Sequence, residues 1–251
     1  MKFLKLALTS LVLFYALFLR NEAYAATITS SATGNWSNAT TWVISLTRPG
    51  TVTVNAGSTA VTGSALASFT TTLSVGSQIL NTSSVVIGTV ASIQSNTALT
   101  LVAGATNAMT NAGWNSRGVG SGDAVIIATG HNITVNSTYS CASLTMNRPS
   151  TGQTNTLTIG TNTLTVTGAF TMSATTTTRN NIINISTGSL IINGNLTTGT
   201  TGCQINLTST GTLDMGGTVG SFTLSPGSTS TVIYDAAAAQ TIRPVTYNNL
   251  N

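Results

Sequence analysis

Beyond residue 25 the chain carries one histidine (His131), three aspartates (Asp123, Asp214, Asp235) and two cysteines (Cys141, Cys203), with no lysine and no glutamate. This short list bounds the chemistry. A metal centre needs three or four clustered ligands, and a general base needs a neighbour that orients it. The stretch "IIATGHNITV" offers His131 neither, so His131 reads as a turn residue between two strands. Glycoside hydrolysis needs two carboxyl groups about 5–9.5 Å apart. Asp214 and Asp235 lie 21 residues apart, near one structural repeat, and could stack on neighbouring layers. No cleft-forming loops accompany them, and three aspartates are too few for a calcium-assisted lyase site. The expectation is therefore a protein that is not an enzyme: no catalytic residue, no cofactor and no metal.

Two further groups invite a binding function. Trp36 and Trp42, in "GNWSNATTW", could plug the end of a small apolar core or, if exposed, stack on a sugar face. The plug is the expected role. The Thr-rich run 161–178, "TNTLTVTGAFTMSATTTT", could present a flat hydroxyl array of the kind that binds ice. That array would have to recur in each repeat. "TLTVT" is followed by "LIIN" and then "TLDM", so the recurrence is absent and the threonines read as a solvated strand face.

The elements that hold these residues begin with a leader. "MKFLK" is basic, "LALTSLVLFYALFL" is an apolar run of 14 residues, and Ala23 and Ala25 form a small-residue cleavage pattern. A membrane span needs about 20 apolar residues. Residues 1–25 are thus expected to be a secretory signal peptide cut after Ala25, with an uncleaved anchor as the alternative. Residues 26–251 hold Arg48, Arg117, Arg148, Arg179 and Arg243 against three Asp, a net charge of +2. Such scattered cations give no basic patch, so nucleic acid is not an expected partner. Mean hydropathy is +0.30 and 41% of residues are apolar, which argues against disorder. Threonine is the commonest residue, and its branched side chain suits a pleated, half-buried surface. The composition is all-β.

Repeats supply the architecture. "LTIGTNTLTVTGAF" (157–170), "INISTGSLIINGNL" (183–196) and "INLTSTGTLDMGGTV" (205–219) share one pattern of two alternating strands, a turn and a glycine. Leu164, Leu190 and Leu213 mark it, 26 and 23 residues apart. Repeats of this length holding short strands predict a short parallel β-solenoid, or β-helix. Its layers would align those three leucines as one inner ladder and Val166, Ile192 and Met215 as the next. Gly168, Gly194 and Gly216 would sit at corners. Cys141 and Cys203 would then stand two to three layers apart, about 10–14 Å at 4.8 Å per layer. A disulfide needs Cα atoms within about 7 Å, so the two are expected to stay free rather than pair.

The expected domains are the signal peptide (1–25), an N-terminal cap (26–50), an inserted small antiparallel β-barrel of five or six strands (51–112) and the solenoid (113–251). "GNWSNATTW", "SGDAVIIATGHNITV" and "CASLTM" together resemble the opening of many secreted surface proteins of the Bacteroidota, and "TVIYDAAAAQTIRPVTYNNLN" resembles a further motif of the same proteins. The resemblance implies a structural or adhesive role at the cell surface or in extracellular matrix. It implies like subunits, other surface proteins or glycans as partners, and no membrane span once the leader is removed. A carbohydrate-binding module is the alternative, with a polysaccharide-active enzyme behind it. Val245, Tyr247 and Leu250 read as the start of another layer. That ending is expected to be a cut from a longer adhesin, a head-to-tail filament contact, or a private cap.

Overall fold

Alternation of apolar and polar residues drives the structure. In Leu164, Val166 and their equivalents every second side chain is buried, while the residues between them are half exposed. The computed structural model describes residues 26–42, 46–174, 176, 178–242 and 244–250. The expected leader lies outside these. The described chain is all-β apart from a helical turn at Phe69–Thr72 and a 3-10 turn at Ala39–Thr41. No helix among the described residues is long and apolar enough to cross a membrane.

The described residues form two assemblies. The first is a closed barrel of six antiparallel strands: Leu46–Val54, Ala60–Gly63, Ala98–Leu101, Val86–Ser95, Gln78–Asn81 and Met109–Arg117. Its core holds Val52, Val61, Phe69, Ile79, Ile87 and Trp114, with Phe69 meeting Trp114 edge-on at 5.6 Å. The barrel is wider than the expected 51–112. Pro49 and Gly50 read as a break in the sequence, yet the first strand runs through them on a bulge, with Gly50 at φ +74°. A left-handed residue at that position suits glycine, which has no Cβ to clash. Trp114 secures the bulge by donating its ring N–H to the Pro49 carbonyl at 3.0 Å. Residues 46–50 therefore leave the cap and 113–117 leave the repeat region; both belong to the barrel.

The second assembly is three parallel sheets. The chain visits them in rotation, as in Ala124–Ile127, Asn132–Val135, Tyr139–Cys141 and then Ser143–Met146 back beside the first. We call one passage through the three a rung. Successive rungs lie in register: Tyr139, Leu164, Leu190, Leu213, Val232 and Leu250 form one column. Cys141, Val166, Ile192, Met215 and Tyr234 form the next. A third column runs Val125, Leu144, Phe170 and Leu196, and a fourth Ile133, Leu157, Ile183, Ile205 and Leu224. No rung could bury these side chains alone; stacking removes them from water, at about 1.5–3 kcal/mol for each large aliphatic.

The glycine column differs in membership and in cause from the expected corner. It contains Ala142, Gly168, Gly194 and Gly217, and Gly216 is outside it. Neither Gly168 nor Gly194 has positive φ. The reason is close approach: a Cβ on Gly168 would stand 2.6 Å from the Ala142 carbonyl oxygen, and one on Gly194 would stand 2.5 Å from the Gly168 carbonyl carbon.

The rungs also bury a polar column that sequence reasoning missed. Asn155 and Asn181 are both fully buried and aligned. Asn155 Nδ2 donates to Asn181 Oδ1 at 2.9 Å and to the Asn147 carbonyl at 2.6 Å, while Asn155 Oδ1 accepts from Gly130 N–H. Cys203 continues the column, its Sγ 3.2 Å from the Met172 carbonyl. The signal was available: Asn155 and Asn181 are 26 residues apart, the spacing of Leu164 and Leu190. Buried amides of this kind must be satisfied, and the stacked corner satisfies them.

Candidate functional site

Of the residues weighed for catalysis, only Asp214 and Asp235 come together. Among the described residues no group of three or more His, Cys, Asp or Glu could hold a metal ion. His131 closes the turn beyond the strand Ala124–Ile127, with its N–H on the Ala128 carbonyl. Its Nδ1 lies 2.8 Å from Ser30 Oγ. That hydroxyl also accepts from Ala128 N–H at 2.8 Å, and which of Ser30 Oγ and His131 Nδ1 donates is set by the histidine tautomer. A serine facing a histidine suggests a nucleophile and base, but Ser30 is only 2% exposed and engaged on both sides. The contact ties the first strand to the turn.

Asp214 and Asp235 do come together. Asp214 lies in the strand Thr212–Met215 and Asp235 just follows Thr231–Tyr234, the next strand of the same sheet. Burial pushes the Asp214 carboxyl up, and the Asp235 charge and a hydrogen bond with Asp235 push it further. The loop beyond is clasped by Gln240, which donates to the Met215 and Gly217 carbonyls, each at 2.6 Å. The pair belongs to the packing of this loop.

Asp123 is the best-organised acid. It pairs with Arg48, 75 residues away, through two parallel bonds: Nη1 to Oδ1 at 2.9 Å and Nη2 to Oδ2 at 2.8 Å. Arg48 Nε donates to Ser116 Oγ at 2.6 Å. Both charged side chains are at most 1% exposed. Gly120 N–H and Ala26 N–H supply two more donors, at 2.7 and 3.1 Å. This fork joins the barrel to the parallel sheets. Beside it, Gly122 N–H and Ser121 Oγ bond to the carbonyls of Thr71 and Thr70 in the barrel's helical turn.

Trp36 and Trp42 are 1% and 2% exposed, so neither presents a face to a sugar. Their position explains their size. Among the described residues the first rung has strands Thr27–Thr29 and Gly34–Asn35 but no third-sheet strand before Tyr139–Cys141. Trp36 fills that gap, stacked on Tyr139 at 6.0 Å, and Trp42 meets it edge-on at 5.1 Å. Trp42 donates its ring N–H to the Trp36 carbonyl at 2.8 Å.

The two ends of the stack are unlike. At the far end the strands Thr223–Ser225 and Asn249–Leu250 each have one neighbour among the described residues. Asn249 and Leu250 lie in register with Thr231 and Val232. Val245 and Tyr247 pack partly against the core, and the Tyr247 and Tyr234 hydroxyls are 3.0 Å apart. Leu250 is 42% exposed at the end of its inner column, and Ile242 is 51% exposed. Compared with protein-family models, with curated proteins and with solved structures, the chain matches none.

The cysteines are free and buried. Cys141 and Cys203 stand in different sheets and three rungs apart, about 14 Å along the stack at the usual strand spacing.

Proposed function

We propose that the three parallel sheets wind as one β-solenoid and that the protein is a secreted structural or adhesive rod of the cell surface or extracellular matrix. The contrast between its ends carries this reading. Tryptophans plug the first end, while at the other the last described strands lie at sheet edges and Leu250 is 42% exposed. Unpaired strand N–H and C=O groups template a further strand. A strand of like alternation laid on Asn249–Leu250 would continue Leu213, Val232 and Leu250. It would come from a second copy or from a longer chain of the same kind. Outside, columns such as Thr134, Thr158, Asn184 and Asn206 offer hydrogen bonds to like proteins or glycans. Light scattering after size exclusion, with negative-stain microscopy, tests this on residues 26–251. Mass should rise with concentration and fall back in Leu250→Lys, which sets a charge on the edge. A chain that stays monomeric at high concentration, indistinguishable from Leu250→Lys, would sink the rod.

Carbohydrate binding is a second reading, and one feature favours it. A groove of about 320 Å³ between barrel and sheets is lined by Ser74, Ser137, Thr138, Ser140 and Thr165 together with Leu73 and Val75. Retention on a glycan array, abolished by Ser140→Trp, is the expected result; no retention of the native chain would reject it.

A further inference from the structure

We propose that cutting the chain after Ala25 creates a structural ion pair, in which the new α-ammonium of Ala26 docks on Asp123 beside Arg48. This rests on the secretory reading of the leader. The observation is the Ala26 nitrogen itself, 3.1 Å from Asp123 Oδ1. Ala26 is held there because its carbonyl accepts from Ala124 N–H at 2.8 Å, in the first parallel sheet. Asp123 is 0% exposed and receives four contacts: two from Arg48, one from Gly120 and one from Ala26. A carboxylate has about four acceptor positions, so the set is full. Only the Ala26 donor changes its chemistry on processing.

The step is a hydrolysis by a leader peptidase. Water adds across the Ala25–Ala26 amide, the C–N bond breaks, and the Ala25 carboxylate departs with the leader. Ala26 keeps an amine, which takes up a proton at neutral pH because α-amino groups titrate near about 8. An amide N–H thereby becomes a cation with three donors at the same place. Charge-assisted bonds to carboxylate are about twice as strong as neutral ones. Ala26 is half exposed, so the ammonium keeps water on its outer side and the extra positive charge is not sealed in. Asp123 then ties the start of the processed chain, the barrel strand bearing Arg48 and the parallel sheets into one charged junction. The uncut chain has only the amide contact there, so processing tightens the folded state.

The composition makes the test clean. The processed chain has no lysine, so an acylating ester finds the Ala26 α-amine as its one aliphatic amine. Urea unfolding is compared for the chain beginning at Ala26, its Nα-acetylated form and a form with one glycine placed before Ala26. Acetylation or extension should lower the folding equilibrium constant about tenfold, the effect of one pKa unit of interaction. In Asp123→Asn the free and acetylated forms should become equal; the glycine-extended chain gives an independent reading where that variant does not fold. Free and acetylated native chains of equal stability would overturn the docking. Mass spectrometry of the exported protein showing a first residue other than Ala26 would overturn the leader reading, and the proposal with it.

Discussion

Replacing Arg48 with methionine isolates the junction between barrel and sheets. Methionine keeps much of the apolar stem and removes the guanidinium, leaving the Asp123 carboxylate at 0% exposure with only the Gly120 and Ala26 N–H groups. Breaking a buried ion pair from one side costs about 3–5 kcal/mol. The two remaining backbone donors offset part of that, so Arg48→Met should cost about 3 kcal/mol. Asp123→Asn should cost a similar amount, since it strands a guanidinium that is 1% exposed. The double variant buries no net charge, and its loss should not exceed that of either single change. The coupling energy, the two single losses less the double one, is then at least about 3 kcal/mol. Equilibrium urea unfolding reads all four proteins through tryptophan fluorescence, with Trp114 in the barrel and Trp36 and Trp42 in the sheets. Losses that simply add, within about 0.5 kcal/mol, would refute the idea that these two groups act as one unit.

Asp214→Asn should stabilise the protein by about 0.5 kcal/mol at pH 7, a figure already reduced for solvent screening at this partly exposed pair. The sign follows from the raised Asp214 pKa: its stabilisation is present below the unfolded value near about 4 and lost as pH rises through the folded one. The gain should therefore vanish at pH 3, and a variant less stable than the native protein at pH 7 would contradict this. Gly194→Ala places a Cβ 2.5 Å from the Gly168 carbonyl carbon and should cost at least about 2 kcal/mol, whereas Gly160→Ala meets nothing within 4 Å and should be near neutral. Equal thermal shifts for the two would remove close approach as the cause. The Cys141 thiol is pushed up to about 12 by burial and by the Asp123 charge. A thiol reagent at pH 8 should modify Cys141 only after denaturant is added; rapid labelling of the folded chain would show that the column is open.

Inward-facing residues were legible because strand alternation is a local property of the backbone. Leu164, Leu190 and Leu213 align in the structure at the spacing their sequence separations set, and the free cysteines follow from the same count. Asn155 and Asn181 carried the same spacing but were not seen, since buried amides break the apolar pattern used to find the rungs. The barrel was legible as a module and misjudged at its edges, where a bulge at Pro49–Gly50 carries a strand through a turn-like dipeptide. Trp36 and Trp42 had two readings in sequence; burial over Tyr139 chose the plug.

By itself, then, the sequence determined the β class, the alternation and the repeat that brings like side chains into columns. Each of these depends on residues a few positions apart or one repeat apart. Only the tertiary structure decided which distant charges meet. Arg48 and Asp123 are separated by the whole barrel, and their bidentate contact depends on how that barrel seats against the sheets. No periodicity encodes that seating. It is settled by which arrangement leaves both charges satisfied once water is excluded.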